Sequence, residues 1–261
     1  MYHRRPADAA VFTPLGGVAL LFVGWATFIV TAVASERYGA HALVGLILGE
    51  VVLAAVPVVA ALEGKISLRS FGLRRAPLVY LVSGLLVGSA LWYVNWQVVV
   101  ALDIPKDRVR VLAETVAEPP LPLAVLAMAV LPAICEELMF RGVVLRAFAG
   151  AWKAPVAVVA SALLFSAYHI SVPQALPTFT LGLALGALAL RSGSLYPTMI
   201  AHLMNNLAAV LVTRDELPGV NDWISDHGLV ALVGASAIVA VGLALLVPPP
   251  AVEPVVRRGP S

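Results

Sequence analysis

Apolar residues run through this chain in long unbroken blocks, with no sustained alternation and no single helical stripe. A helix that crosses a bilayer needs about 20 largely apolar residues. Eight segments approach that length: 13–34, 41–62, 78–101, 122–148, 155–172, 175–190, 194–213 and 228–247. The pattern predicts an all-α, polytopic transmembrane helical bundle of about eight spans, forming a single integral membrane domain over residues 1–261. The tail from Pro248, "PPPAVEPVVRRGPS", reads as disordered. Three predicted helices carry glycines four apart, Gly45/Gly49, Gly84/Gly88 and Gly182/Gly186. That spacing lets backbones approach closely in lipid, where packing drives helix association.

Composition agrees. The chain is 61% hydrophobic and 12% charged, whereas soluble domains are about 25% charged. Cys135 is the single cysteine, so an internal disulfide and a multi-cysteine metal site are excluded. A net charge of +2, without any basic stretch interleaved with aromatics, excludes nucleic acid as a partner. Of the 17 Lys and Arg, eleven fall on one side of the predicted bundle and five on the other, with Arg141 inside a helix. Positive residues stay cytoplasmic, which predicts N- and C-termini in the cytoplasm. Trp92, Trp96 and Trp152 lie near predicted helix ends and suit the interface. The stretch 112–122, "LAETVAEPPLP", is expected to lie along the membrane surface.

Few ionisable groups fall inside the spans: Glu50, Glu136, Glu137, Arg141, His169 and His202. Such groups are costly in lipid and mark a pathway or a site. Glu137 and Arg141 are four apart and share a helix face, where they can pair. Phe165 and His169 repeat that step in "FSAYH", and His202 and Asn206 repeat it in "HLMNN". Depth also agrees. Glu136 and His169 sit equally far from the turn near residue 152, roughly 22 Å at 1.5 Å per residue. Asn206 lies roughly 20 Å from its own turn at 191–194, with His202 one turn shallower. Glu50 has three open readings: a contact for Arg141, a lining for a water route, or a protonated packing residue. Cys135 reads as a small apolar filler.

The motifs "EELMFR", "FSAYH" and "HLMNN" resemble those of the CAAX-protease and bacteriocin-processing family of intramembrane proteases, which includes the CAAX prenyl endopeptidases. The resemblance spans about 122–213. It implies an intramembrane endopeptidase that hydrolyses a peptide bond in a membrane-associated peptide or protein, in a polar cavity between the fourth, fifth and seventh helices. Carried over, Glu136 and His169 activate a water, and His202 and Asn206 form an oxyanion hole. Glu137, Arg141 and Phe165 support the site. Members are often labelled metalloproteases, and Zn²⁺ or another divalent metal on Glu136, His169 and His202 is the alternative. No H-E-x-x-H occurs, and Arg141 should neutralise Glu137, which favours a site without a cofactor. The Ala-, Val- and Arg-rich composition suggests a GC-rich bacterial genome, hence a bacterial cytoplasmic membrane. Two rivals stand beside the enzyme: a non-catalytic scaffold or immunity protein of the same fold, and a proton- or ion-coupled transporter. A transporter favours an internal repeat, and the sequence shows none.

Overall fold

The computed structural model describes residues 12–246, apart from 41, 65, 105–109, 111, 112 and 115. The tail from 248 lies outside the described residues, as does part of the 112–122 stretch. Among the described residues there is no strand. Nine helices carry the argument: α1 (Pro14–Arg37), α2 (Ala42–Glu63), α3 (Leu78–Ala101), α4 (Leu121–Ala151), α5 (Ala154–Tyr168), α6 (Val172–Ser192), α7 (Tyr196–Thr213), α8 (Pro218–Asp226) and α9 (Gly228–Ala244). A short 3-10 turn, Leu68–Phe71, precedes α3.

Each of the eight apolar blocks contains a helix, but not every helix is of spanning length. Five are long and apolar enough to cross a membrane, namely α1, α2, α3, α4 and α6. The count is six if α8 and α9, bent by 107° at their junction, form one span. Helix α7 has 18 residues and carries His202, Asn205 and Asn206, which dilute its apolar character. Helix α5 has 15 residues, fewer than the block 155–172 predicts. It stops early because Ile170 turns the chain with φ at +46°. At 1.5 Å per residue α5 spans roughly 22 Å, short of a hydrocarbon core about 30 Å thick.

All three glycine pairs lie at helix interfaces. Gly45 and Gly49 of α2 face Ala32 and Phe28 of α1; Gly182 and Gly186 of α6 face Ala162 and Val158 of α5. Gly84 and Gly88 of α3 face the carbonyls of Pro197 and Ala201 on α7 so closely that a Cβ at either would collide with backbone. This contact presses α7 inward at the residue preceding His202. Asn95 of α3 bonds α6, donating to Pro177 O at 3.2 Å and accepting from Thr180 Oγ1 at 2.6 Å.

Helix α4 is the central element and is not a uniform α-helix. It opens to i→i+5 bonding at Leu126–Val130 and again at Glu137–Val144. Pro132 follows the first opening. With no N–H it cannot serve the carbonyl of Met128, four residues earlier. Such widened turns concentrate at functional sites, and the second one carries Glu137 and Arg141. Ahead of α4, the Arg214 guanidinium at the end of α7 donates from one Nη1 to the carbonyls of Val116, Ala117 and Pro119, at 2.7–3.0 Å.

Candidate active site

Glu137 is the anchor of the polar layer. Its Oε1 accepts from Arg141 Nη1 at 2.7 Å and pairs with His202 Nδ1 at 2.9 Å, all three groups being buried. A lone charge at this depth would be costly, and the pair with its second hydrogen bond offsets that cost. The Arg141 guanidinium lies 4.2 Å from the centroid of the Phe165 ring. Phe165 is wholly buried and meets Phe140, His169 and His202 edge to face, with ring centroids 5.0, 4.9 and 5.8 Å away. This ring therefore packs against both imidazoles.

Each imidazole is held by its Nδ1. That of His169, at the C-terminal end of α5, lies 2.8 Å from the carbonyl of Phe165. A carbonyl only accepts, so Nδ1 carries the proton and Nε2 of a neutral ring is a lone pair. His202 Nδ1 faces an Arg-paired carboxylate, which imposes the same assignment. Both Nε2 atoms turn to Glu136: His169 Nε2 is 4.0 Å from Oε1 and His202 Nε2 is 3.7 Å from Oε2. Residues from α4, α5 and α7 thus meet at one height. Neither distance is a direct hydrogen bond; each leaves a separation that a third group can bridge.

Two groups at the site were not assigned from the sequence. Glu50, buried on α2, brings its carboxyl against that of Glu136, a partner that none of its three readings named. Two carboxyls can bond only if one retains its proton. Tyr168, next to His169, lies within electrostatic reach of Glu136 and Glu50 and packs on Phe28 and Phe140. Its aromatic neighbours in "FSAYH" gave no signal that its hydroxyl faces the site. Glu50 Oε2, Glu136 Oε2, Glu137 Oε2, Arg141 Nη2 and Tyr168 Oη are buried without a hydrogen-bond partner.

Asn206 sits differently. Its Nδ2 donates to Met128 O at 3.0 Å, the carbonyl that Pro132 cannot serve, and its Oδ1 accepts from Asn205 Nδ2 at 3.1 Å. No hydrogen bond ties it to Glu136 or His202, although one amide hydrogen is left for another acceptor. The layer is also packed rather than open. Glu136 and His202 are almost fully buried, and His169, its side chain 16% exposed, comes nearest the surface. Phe165 and Phe140 pack against each other beside the layer, and Phe165 touches both imidazoles. Cys135 is buried beside Glu136, as a filler would be.

For a metal, three donors must converge within about 2.0–2.2 Å of one point. Among the described residues no group of three or more His, Cys, Asp or Glu side chains has the arrangement to hold a metal ion. The Glu136–His169–His202 set therefore does not fit one as it stands.

The arrangement identifies a relationship. Residues 118–208 match the family model of Rce1-like type II CAAX prenyl endopeptidases. This Rce1-like segment runs from just before α4 through most of α7 and contains all three motifs, as the resemblance read from the sequence requires. Curated proteins and solved structures give no match. With five to six apolar helices of spanning length among the described residues, the chain is an integral membrane protein similar to CAAX-type intramembrane proteases.

Proposed function

We propose that this protein is an intramembrane endopeptidase in which Glu136 and His169 activate a water against a peptide bond. One observation carries the proposal: the Glu136 carboxylate lies between two imidazole Nε2 atoms, at 4.0 and 3.7 Å, inside an Rce1-like segment. A water bridging Glu136 and His169 gives a proton to Glu136 as its oxygen attacks the carbonyl carbon. The resulting oxyanion takes hydrogen bonds from His202 and Asn206. Collapse breaks the C–N bond, and the proton passes from Glu136 to the leaving nitrogen.

His202 turns Nε2 to the site because its Nδ1 serves Glu137. Asn206 offers its second amide hydrogen. Donors aimed at the developing charge in a dry site contribute about 10²–10³ in rate each. Glu137, Arg141 and Phe165 hold this geometry. No metal is required for any step, and the substrate is a peptide or membrane-protein segment presented from the bilayer.

The test compares membrane and secreted peptides from cells carrying the wild type or Glu136→Gln. New termini present only with the wild type, and still formed by purified protein after exhaustive chelation, are the expected result. Identical peptide profiles, together with an unchanged cellular phenotype in Glu136→Gln and His169→Ala, would instead mark a scaffold of the same fold. Loss of cleavage on chelation with recovery on adding Zn²⁺ would replace the metal-free mechanism.

A further inference from the structure

A cavity of about 620 Å³ opens at the opposite end of the molecule's chemistry, lined by Arg69, Ser70, Leu73, Arg74, Arg75 and Tyr196. Three arginines, a serine and a tyrosine are among its lining residues, and no carboxylate is. It lies between the first residues of α3 and of α7, at the end of the bundle where most Lys and Arg gather.

Its walls are fixed. Leu195 N donates to Gly72 O at 2.9 Å, Ser194 Oγ bonds Arg74 O, and Arg74 Nε donates to Gly193 O at 2.7 Å. Arg146 of α4 adds two bonds, from Nε to Phe71 O at 3.1 Å and from Nη2 to Gly193 O at 3.0 Å. The loop between α2 and α3 is thereby stapled to the turn between α6 and α7. A surface arginine cluster that served only to orient the chain would need no such frame. A loop already fixed in place can present its side chains without first losing backbone entropy.

We propose that this cavity is a phosphate site and takes the headgroup of an anionic membrane lipid. Guanidinium groups match phosphate oxygens in paired hydrogen bonds, and basic pockets between spanning helices are suited to such headgroups. The lipid source is favoured by position. Leu78 and Val79, which begin α3 beside the cavity, are exposed apolar residues, so acyl chains can lie along α3 while the phosphate enters.

The experiment uses full-length protein in phosphatidylcholine bilayer discs, with either phosphatidylglycerol in the disc or inorganic phosphate in the buffer. Phosphatidylglycerol should raise the apparent melting temperature by about 5 °C, as expected at about a hundredfold excess over the dissociation constant. Arg69→Gln/Arg75→Gln, which changes two exposed side chains, should lose most of that rise. Lys153→Gln/Arg191→Gln removes the same charge from the same end and should keep it. An equal loss in both double variants, or none in the first, overturns the site. Stabilisation by inorganic phosphate alone overturns the lipid assignment. Should the first variant not fold, the lipids that co-purify with the wild type decide: no enrichment of anionic over zwitterionic lipid relative to the source membrane overturns the proposal.

Discussion

The Glu137 carboxylate accepts from Arg141 and pairs with His202, whereas Glu136, one residue earlier, has no direct hydrogen bond to a cation or an imidazole. The two should therefore respond oppositely to the same change. Glu137→Gln leaves Arg141 buried and poorly paired, and the cost of breaking such a pair is about 3–5 kcal/mol. Thermal melting should show that loss. Glu136→Gln breaks no direct hydrogen bond to a cation or an imidazole, so melting should not fall, while cleavage should drop about 10²-fold or more. If both variants melted alike and cleaved alike, the division of labour between them would be wrong. A third change tests the turn that delivers His169. Ile170 is β-branched, 71% exposed, and held at φ +46°, a conformation costing of order 1 kcal/mol or more. Ile170→Gly should raise stability by up to about 1 kcal/mol, because little packing is lost; a drop would mean that the turn is not strained. Sequence spacing made the Glu137–Arg141 pair and the Phe165–His169 contact legible, since both obey the four-residue helical step. It could not show Glu50 against Glu136, the Tyr168 hydroxyl, or Asn206 bonding Met128. Those contacts join residues from different helices, and helical spacing says nothing about them.

Helix packing shows the same division between local and distant order. Apolar blocks located every major helix, and glycine spacing located three interfaces, because both features are local. The end of α5 was less legible: its apolar block continues to Val172, but the backbone turns at Ile170. This shortness leaves His169 at the very end of α5, just before the turn at Ile170. The α3–α7 contact sets the third member of the polar layer. Gly88 meets the carbonyl of Ala201 with no room for a Cβ, and His202 is the next residue. Gly88→Val should push α7 outward, costing about 1–3 kcal/mol by overpacking, and should lower cleavage more than Gly234→Val does. Gly234, on α9, has nothing within 4 Å of an added Cβ, so its variant controls for the change in composition. Equal activity in the two would separate α3 from the placing of His202.

At the scale of the molecule, the polar layer, the basic cavity and the asymmetry of Lys and Arg define one axis. The turn between α4 and α5 carries Lys153, and the loop before α3 carries Arg69, Arg74 and Arg75; the positive-inside rule assigns this end to the cytoplasm. The end that carries Asp215, Glu216, Asp222 and Asp226 should then face outward. Helix α5, starting at the basic end, places His169 roughly 22 Å from it, so the proposed chemistry lies nearer the outer leaflet. Labelling can test this orientation with little background, because the sole cysteine, Cys135, is buried. Lys153 and Asp222 are both exposed, and each can be replaced by cysteine without breaking an ion pair described above. In intact cells, an impermeant maleimide should label Asp222→Cys and should reach Lys153→Cys only after permeabilisation. The reverse pattern would invert the molecule. The anionic lipid would then have to come from the outer leaflet, and a substrate would approach Glu136 and His169 from the cytoplasmic half of the bilayer.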